Sequence, residues 1–363
     1  MATKKKGKAS PKKPSRPASR KNNDEPKIRK DYQSELKDRL KDNSLEIIAM
    51  ADDHTFAPSE DKLIPSGALA LDAAFGFKGW PGGKIFELAG PPHCGKTTIS
   101  AQATVEAQKL GLDTYLLETE KTSSIPYFTK LGVDTSKLHI VRKTDDSLTL
   151  QGCAEFLRSL GRAYRGNPKP TLVVWDSLGA TPTDAEMERD IGDKKVGDAA
   201  GVLKQTFRIL PQLLAEANIA LLIINHEYQT FGQVSYKTTY GGSAVKYLSS
   251  LRIGLRKVDS IKLPNGDIVG MEGELRVTKN KYGMPERKIR YAIMDGGGID
   301  NVWFIHNELT KRGVIEKSGS WFSFQFGDQT IKYQGSAGLL VKVTETPDLW
   351  GGLVNTYISL QNT

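Results

Sequence analysis

Gly90-Pro91-Pro92-His93-Cys94-Gly95-Lys96-Thr97 fits the pattern G-x-x-x-x-G-K-[ST] at every fixed position. Its flanks decide what it builds. The apolar run Lys84-Ile85-Phe86-Glu87-Leu88-Ala89 enters it, and Thr97-Thr98-Ile99-Ser100-Ala101-Gln102-Ala103 leaves it with helix-forming residues. That order predicts strand, glycine loop and helix, the setting this motif requires. Backbone N–H groups of such a loop converge on phosphate oxygens at the positive end of a helix. The candidate nucleotide-binding residues are therefore Gly90 through Thr97 together with Thr98. Lys96 is placed to reach the β- and γ-phosphates of a nucleoside triphosphate, and the Thr97 hydroxyl to ligate Mg²⁺.

Around this loop the chain alternates. Apolar strands are expected at Lys84–Ala89, Asp113–Glu120, Thr171–Asp176 and Ile219–His226, with helices at Thr97–Leu110, Leu148–Tyr164 and Gly197–Ala217 between them. A βαβ series of this kind predicts an α/β fold, a mostly parallel sheet with helices on both faces. The pattern then changes to period two: Leu251, Ile253, Leu255; Leu275, Val277; Ile289, Tyr291, Ile293. These read as an antiparallel extension, its last two strands joined across Tyr282-Gly283-Met284-Pro285. A small α+β appendage follows from about Ile299, with a helix near Val302–Arg312 and a hairpin near Trp321–Tyr333.

The 363 residues, 38% hydrophobic, can bury one large core. No apolar stretch is long enough to cross a bilayer, so no membrane is expected among the partners. Two cysteines, Cys94 and Cys153, make neither a disulfide framework nor a zinc site, and point to a reducing compartment such as the cytoplasm. Charge is concentrated at one end. Residues 1–30 hold twelve Lys or Arg against Asp24 and Glu25, a net of +10, while the whole chain carries +9. With four prolines and almost nothing apolar, this segment reads as a disordered basic tail, suited to concentrating the protein on polyanions, to acting as a localisation signal or to aiding solubility. Tyr32, Leu36 and Leu40 then recur every four residues, a helix whose narrow apolar stripe must dock on something. The expected division is 1–30 tail, 31–62 oligomerisation helix and linker, 63–298 ATPase core, and 299–363 C-terminal part.

Polar residues gather where the expected strands end at their carboxyl edge, the side on which ligands of such sheets bind. Asp176 closes an apolar strand about 75 residues beyond the loop, as a Mg²⁺-side carboxylate should. Glu118 and Glu120 are two residues apart, so both are expected to face the nucleotide. Glu120, farther out, is the candidate to polarise the attacking water. Asn225-His226 closes another strand, and His226 is a candidate sensor of the γ-phosphate. Beyond it, Glu227 to Gly241 is an irregular stretch bearing Tyr228, Phe231, Tyr236, Lys237 and Tyr240. Aromatics interleaved with lysine suit stacking on bases, and equally packing on the scaffold. A second loop, Asp190 to Gly197, places Lys194 and Lys195 between glycines, suited to a phosphate backbone.

Taken together, the chain resembles a RecA-type recombinase. The resemblance runs from about residue 64 to about 325. It is carried by Ile64-Pro65-Ser66-Gly67-Ala68-Leu69-Ala70-Leu71-Asp72, the Gly90–Thr97 loop, Lys130-Leu131-Gly132-Val133-Asp134, Ile191-Gly192-Asp193, Gly241-Gly242 and Val277-Thr278-Lys279-Asn280-Lys281. It implies a RecA-like P-loop core, ATP and Mg²⁺, with Glu120 as the catalytic glutamate and Tyr127 stacked on the adenine. Lys194, Lys195 and Val196 become the first DNA loop, with Arg208 on the next helix as a phosphate contact. Glu227–Tyr240 with Gly241 and Gly242 becomes the second. Lys279 and Lys281 would reach ATP held by a neighbouring subunit. There are departures. Bacterial RecA has glutamine where this chain has His226, a basic DNA contact is replaced by Gly201, and an adenine-reading aspartate by Ser124. Asn225-His226, Asp176-Ser177-Leu178-Gly179 and the Asp295–Asp300 run are more like the phage UvsX recombinases.

The function so implied is an ATP-dependent homologous recombinase. It would form a helical filament on single-stranded DNA, pair it with homologous double-stranded DNA and exchange strands, with DNA-stimulated hydrolysis at subunit interfaces. Single-strand-binding and loader proteins are the further partners implied. Two other classes compete: a hexameric helicase motor sharing this core, and a DNA-coating protein that uses nucleotide only structurally. The paired lysines and aromatic-rich loop favour the filament over the motor, and Glu120 with His226 favours hydrolysis.

Overall fold

Strands buried on both faces must be apolar throughout, and the runs around the glycine loop meet that demand. The computed structural model describes residues 62–120, 125–143, 147–189, 198–229, 237–263 and 265–361. Expectations for the basic tail and the Tyr32–Leu40 stripe fall outside these residues. In chain order, β1 (Leu63–Ile64), α1 (Leu69–Phe75) and β2 (Trp80–Pro81) precede the central sheet. The sheet's first half comprises β3 (Ile85–Gly90), α2 (Lys96–Lys109), β4 (Thr114–Glu118), α3 (Ile125–Lys130), β5 (Leu138–Val141), α4 (Leu150–Ala163) and β6 (Thr171–Asp176). Then come α5 (Asp184–Met187), α6 (Asp198–Glu216), β7 (Ile219–Gln229), β8 (Lys237–Thr239) and α7 (Gly242–Leu248). Strands β9 (Leu251–Lys262), β10 (Ile268–Asn280) and β11 (Lys288–Met294) complete the sheet.

The strand order is β11-β10-β9-β3-β7-β6-β4-β5, with β8 attached to β7. From β9 to β5 every pairing is parallel, while β10 and β11 join antiparallel. The expected α/β class and parallel series are present, but two expectations are corrected. β9, read with the antiparallel extension, pairs parallel with β3 and antiparallel only with β10. Glu227–Gln229 and Lys237–Thr239, of the stretch expected to be irregular, pair as antiparallel strands. Successive side chains point to opposite faces, and two apolar clusters result. Ile85, Val173, Trp175, Leu221 and Ile223 pack with Leu157 of α4 and Phe207 and Leu214 of α6. Phe86, Leu88, Leu172, Val174, Leu222 and Ile224 belong with Ile99 and Ala103 of α2. The buried side of α2 is made of small residues, including Ser100, Ala101, Thr104 and Ala107, which let its backbone lie close to the sheet.

After β11 come α8 (Asn301–Lys311), the antiparallel strands β12 (Glu316–Ser318), β13 (Trp321–Phe326) and β14 (Gln329–Tyr333), then α9 (Gly335–Glu345) and α10 (Pro347–Ser359). Phe304, Leu309, Leu339, Leu353 and Tyr357 share the apolar cluster of α2 and the sheet. Among the described residues no helix is long and apolar enough to cross a membrane.

His306 of α8 is buried, its Nδ1 3.1 Å from the Tyr333 hydroxyl. Burial, reinforced by the Lys317 charge, holds its pKa below the ordinary 6.5. The folded protein thus keeps this imidazole neutral where the unfolded chain binds a proton, so stability falls as pH drops through 6.5. Urea midpoints measured between pH 7.5 and 5 should fall less for His306→Gln than for the parent. Equal slopes would show that His306 does not contribute to the acid loss.

Candidate active site

The phosphate loop is packed against β9 and β11. A Cβ on Gly90 would come within 2.3 Å of the Leu255 carbonyl oxygen, and one on Gly95 within 2.4 Å of Ile293 Cδ1. Gly95 also has φ +89°, a left-handed conformation that admits glycine at little cost. The Tyr291 hydroxyl donates to the Cys94 carbonyl at 2.6 Å, which ties the loop's centre to β11. Each of these fixes the backbone that opens α2, where anions are favoured.

Lys96 is almost fully buried, and its Nζ donates to the carbonyls of Gly90 at 2.9 Å and Pro91 at 2.8 Å. Thr97 Oγ1 donates to Asp176 Oδ2 at 3.2 Å. Burial first, then the charge of Glu120, pushes the Asp176 carboxyl up to about 6, against lowering by Thr97, Lys96 and His226. A hydroxyl and a carboxylate oxygen side by side at the end of the phosphate loop are the hard oxygen donors that Mg²⁺ takes, so Thr97 and Asp176 fit that ion.

Lys96, Thr97, Glu120, Tyr127, Asp176 and His226 all line one cleft of about 350 Å³, with Pro92, His93, Gly95 and Thr98. Tyr127, on α3, shares a hydrogen bond of 2.7 Å with Thr98 Oγ1. Glu120 Oε1 lies 3.2 Å from His226 Nε2 and accepts from the Ser177 hydroxyl. The expectation that Glu118 also faces the nucleotide is corrected. β4 ends at Glu118, which is buried and paired with Arg142, and is not among the residues lining the cleft. The chain bends after the strand, so the period-two argument does not extend to Glu120.

Beside His226, Asn225 is fully buried and donates to Glu87 Oε1 and to the Tyr240 carbonyl, both at 2.8 Å. Its own Oδ1 accepts from the His226 N–H at 2.9 Å. Glu87 is paired with Arg252, whose Nη2 also donates to Thr239 Oγ1 at 3.0 Å. A buried carboxylate without such partners would cost several kcal/mol. The network links the cleft to the residues just before Gly241. Glu87 and Arg252 escaped the sequence reading, although a charge inside the run Ile85–Ala89 was the available signal. Ser177 escaped it as a site residue too.

The Nζ of Lys279, on β10, donates to the carbonyls of Lys246 at 2.9 Å and Tyr247 at 2.5 Å. Burial, followed by the Lys281 charge, lowers its pKa. The lining of the cleft among the described residues includes neither Lys279 nor Lys281. Arg208 is exposed on α6, Tyr228 half-exposed on β7, and Gly241 and Gly242 open α7 with positive φ. Lys194, Lys195, Val196, Phe231 and Tyr236 lie outside the described residues, as does the Lys237 side chain.

The family described as RecA N-terminal domain matches residues 45–300. The chain belongs to the RecA family. Protein RecA of Bacteroides thetaiotaomicron is 33% identical over 305 residues, covering 84% of this chain and 88% of that relative. RecA of Geobacter sulfurreducens is 33% identical over 288 residues, or 79% and 82%. RecA of Ehrlichia ruminantium is 35% identical over 263 residues, or 72% and 71%. This RecA-family chain is accordingly a nucleotide-binding, ATP-dependent DNA recombinase whose enzymatic step is DNA-dependent ATP hydrolysis.

Proposed function

We propose that this recombinase acts as a helical filament on single-stranded DNA, pairing it with homologous duplex and exchanging strands while ATP is hydrolysed between subunits. The observation that carries the reading is the convergence of Lys96, Thr97, Glu120, Asp176 and His226 on one cleft, joined through Asn225 to the end of the second loop. In this scheme the backbone from Gly90 to Thr98 binds the triphosphate and Tyr127 flanks the base. Thr97 and Asp176 hold Mg²⁺, which when bound supplies positive charge to the phosphate oxygens. Lys96 neutralises the transferring group. Glu120 accepts a hydrogen bond from the attacking water, orienting its lone pair and drawing off its proton. His226, bonded to Glu120, senses the γ-phosphate, and its backbone tie to Asn225 passes the change toward Tyr240 and Gly241.

Lys194, Lys195 and Val196, with Arg208, form one DNA contact. Tyr228, Phe231, Tyr236, Lys237, Tyr240, Gly241 and Gly242 form the other. Lys279 and Lys281 act on ATP of the adjacent subunit. Residues 31–62 join subunits, 63–298 form the ATPase core, and 299–363 are the C-terminal part. Electron microscopy with single-stranded DNA and a non-hydrolysable ATP analogue tests the assembly. Continuous filaments are expected from the full chain, and none from a chain lacking residues 1–60. Closed rings from the full chain, or normal filaments from the truncation, would overturn the scheme.

The tail of residues 1–30 is expected to strengthen DNA association by counterion release. Its removal should flatten the dependence of log affinity on log salt by roughly 0.7 for each lost contact to single strands. An unchanged slope would exclude a tail contact with DNA.

A further inference from the structure

The carboxylate assigned to water activation does not stand alone. Ser177 is fully buried at the carboxyl end of β6, directly after Asp176, and its hydroxyl donates to Glu120 Oε1. That same oxygen lies 3.2 Å from His226 Nε2, so two groups from two strands fix one oxygen of the carboxylate. The serine is itself fixed. Its N–H donates to Thr119 Oγ1 at 3.0 Å, and its carbonyl accepts from Thr119 Oγ1 at 2.9 Å and Thr181 Oγ1 at 2.7 Å. The Trp175 indole N–H donates in turn to Thr181 Oγ1 at 3.0 Å, and the Thr119 N–H donates to the Asp176 carbonyl at 3.0 Å. Thr119, Trp175 and Thr181 are all buried.

The consequence is geometric. Glu120 lies two residues past the end of β4, where no strand pairing holds it. The clasp between Thr119 and Ser177 fixes the backbone on either side, and the Ser177 hydroxyl carries that registry into the carboxylate. The geometry points to Ser177 as the positioning residue of Glu120, holding its carboxylate at a fixed orientation relative to Asp176 and the phosphate loop. This rests on the assignment of Glu120 to water activation. A hydrogen bond to the charged carboxylate is also charge-assisted, and stronger than a neutral one. Removing it frees the side-chain torsions of a group that must meet a water within hydrogen-bond reach, and small misplacements of this kind cost rate rather than affinity.

The test uses the full chain in four forms: Ser177→Ala, Ser177→Cys, Glu120→Gln, and Ser177→Ala with Glu120→Gln. Single-turnover hydrolysis of radiolabelled ATP with saturating single-stranded DNA is read beside the affinity for a fluorescent ATP analogue. Ser177→Ala should slow hydrolysis roughly 10–100-fold with nucleotide affinity held within about twofold. Ser177→Cys, nearly the same shape with a weaker donor, should fall between that variant and the parent. Adding Ser177→Ala to Glu120→Gln should slow the residual rate no further. Equal losses of rate and affinity, a full additional loss in the double variant, or an unchanged rate in both serine variants would overturn the proposal. If Ser177→Ala does not fold, Ser177→Cys decides alone, and a parent-like rate then overturns it. Failure of the Glu120 assignment reads differently, as rapid hydrolysis by Glu120→Gln.

Discussion

Glu120→Gln is expected to bind nucleotide and single-stranded DNA within about twofold of the parent while hydrolysing ATP roughly 10²–10⁴-fold more slowly. The amide keeps the shape of the side chain and can still meet Ser177 and His226, so the cleft is not dismantled. It cannot accept a proton from water, and it polarises that water far less than a carboxylate. Glu118→Gln should behave in the opposite way. It is paired with Arg142 and is not itself among the residues lining the cleft, so the change weakens that ion pair and leaves the chemistry nearly untouched. Phosphate release at saturating ATP and DNA, with nucleotide affinity measured in parallel, separates the two. Should Glu118→Gln prove the slow variant, the choice between the carboxylates would be wrong.

The difference between these two glutamates also shows where the sequence could be read and where it could not. The strands β3, β6 and β7 were legible because strands buried on both faces need unbroken apolar runs, α4 and α6 because each carries an apolar stripe, and α2 because it follows the glycine loop with helix-forming residues. The phosphate loop was legible because Gly90 and Gly95 sit where no side chain fits. β5 was missed: its four residues are half-exposed at the sheet's edge, and edge strands need no continuous apolar pattern. The short α1 and the pair α9 and α10 were missed because their stripes are weak on their own and are completed by the cluster they share with α8. Glu118 was placed in the cleft because strand periodicity was carried past the strand's end. Ser177 stood out only as part of a distinguishing run and carried no signal of this role, which depends on Thr119 and Glu120, some 57 residues away in sequence.

The other large effect concerns Lys279 and Lys281. Two residues apart near the end of β10, they share a face, and Lys279 is aimed by the last carbonyls of α7, the helix that begins immediately after the second loop. If that loop holds DNA, as proposed above, its state and the position of this ammonium are mechanically connected. Replacing both lysines by alanine should remove DNA-stimulated hydrolysis, roughly 10²–10³-fold, by withdrawing positive charge from the developing phosphoryl charge. Nucleotide binding by dilute, isolated subunits should persist, because neither lysine borders their own cleft. Mixing supplies the sharper result. A subunit lacking the two lysines still has Glu120, and a Glu120→Gln subunit still has its lysines. In a head-to-tail assembly an active interface forms wherever the first offers its cleft to the second. An equimolar mixture of two inactive proteins should therefore recover about one quarter of the parent rate, as random order in a heterologous assembly requires. No recovery, with each variant still assembling on DNA, would place the lysines and the glutamate in the same subunit's site.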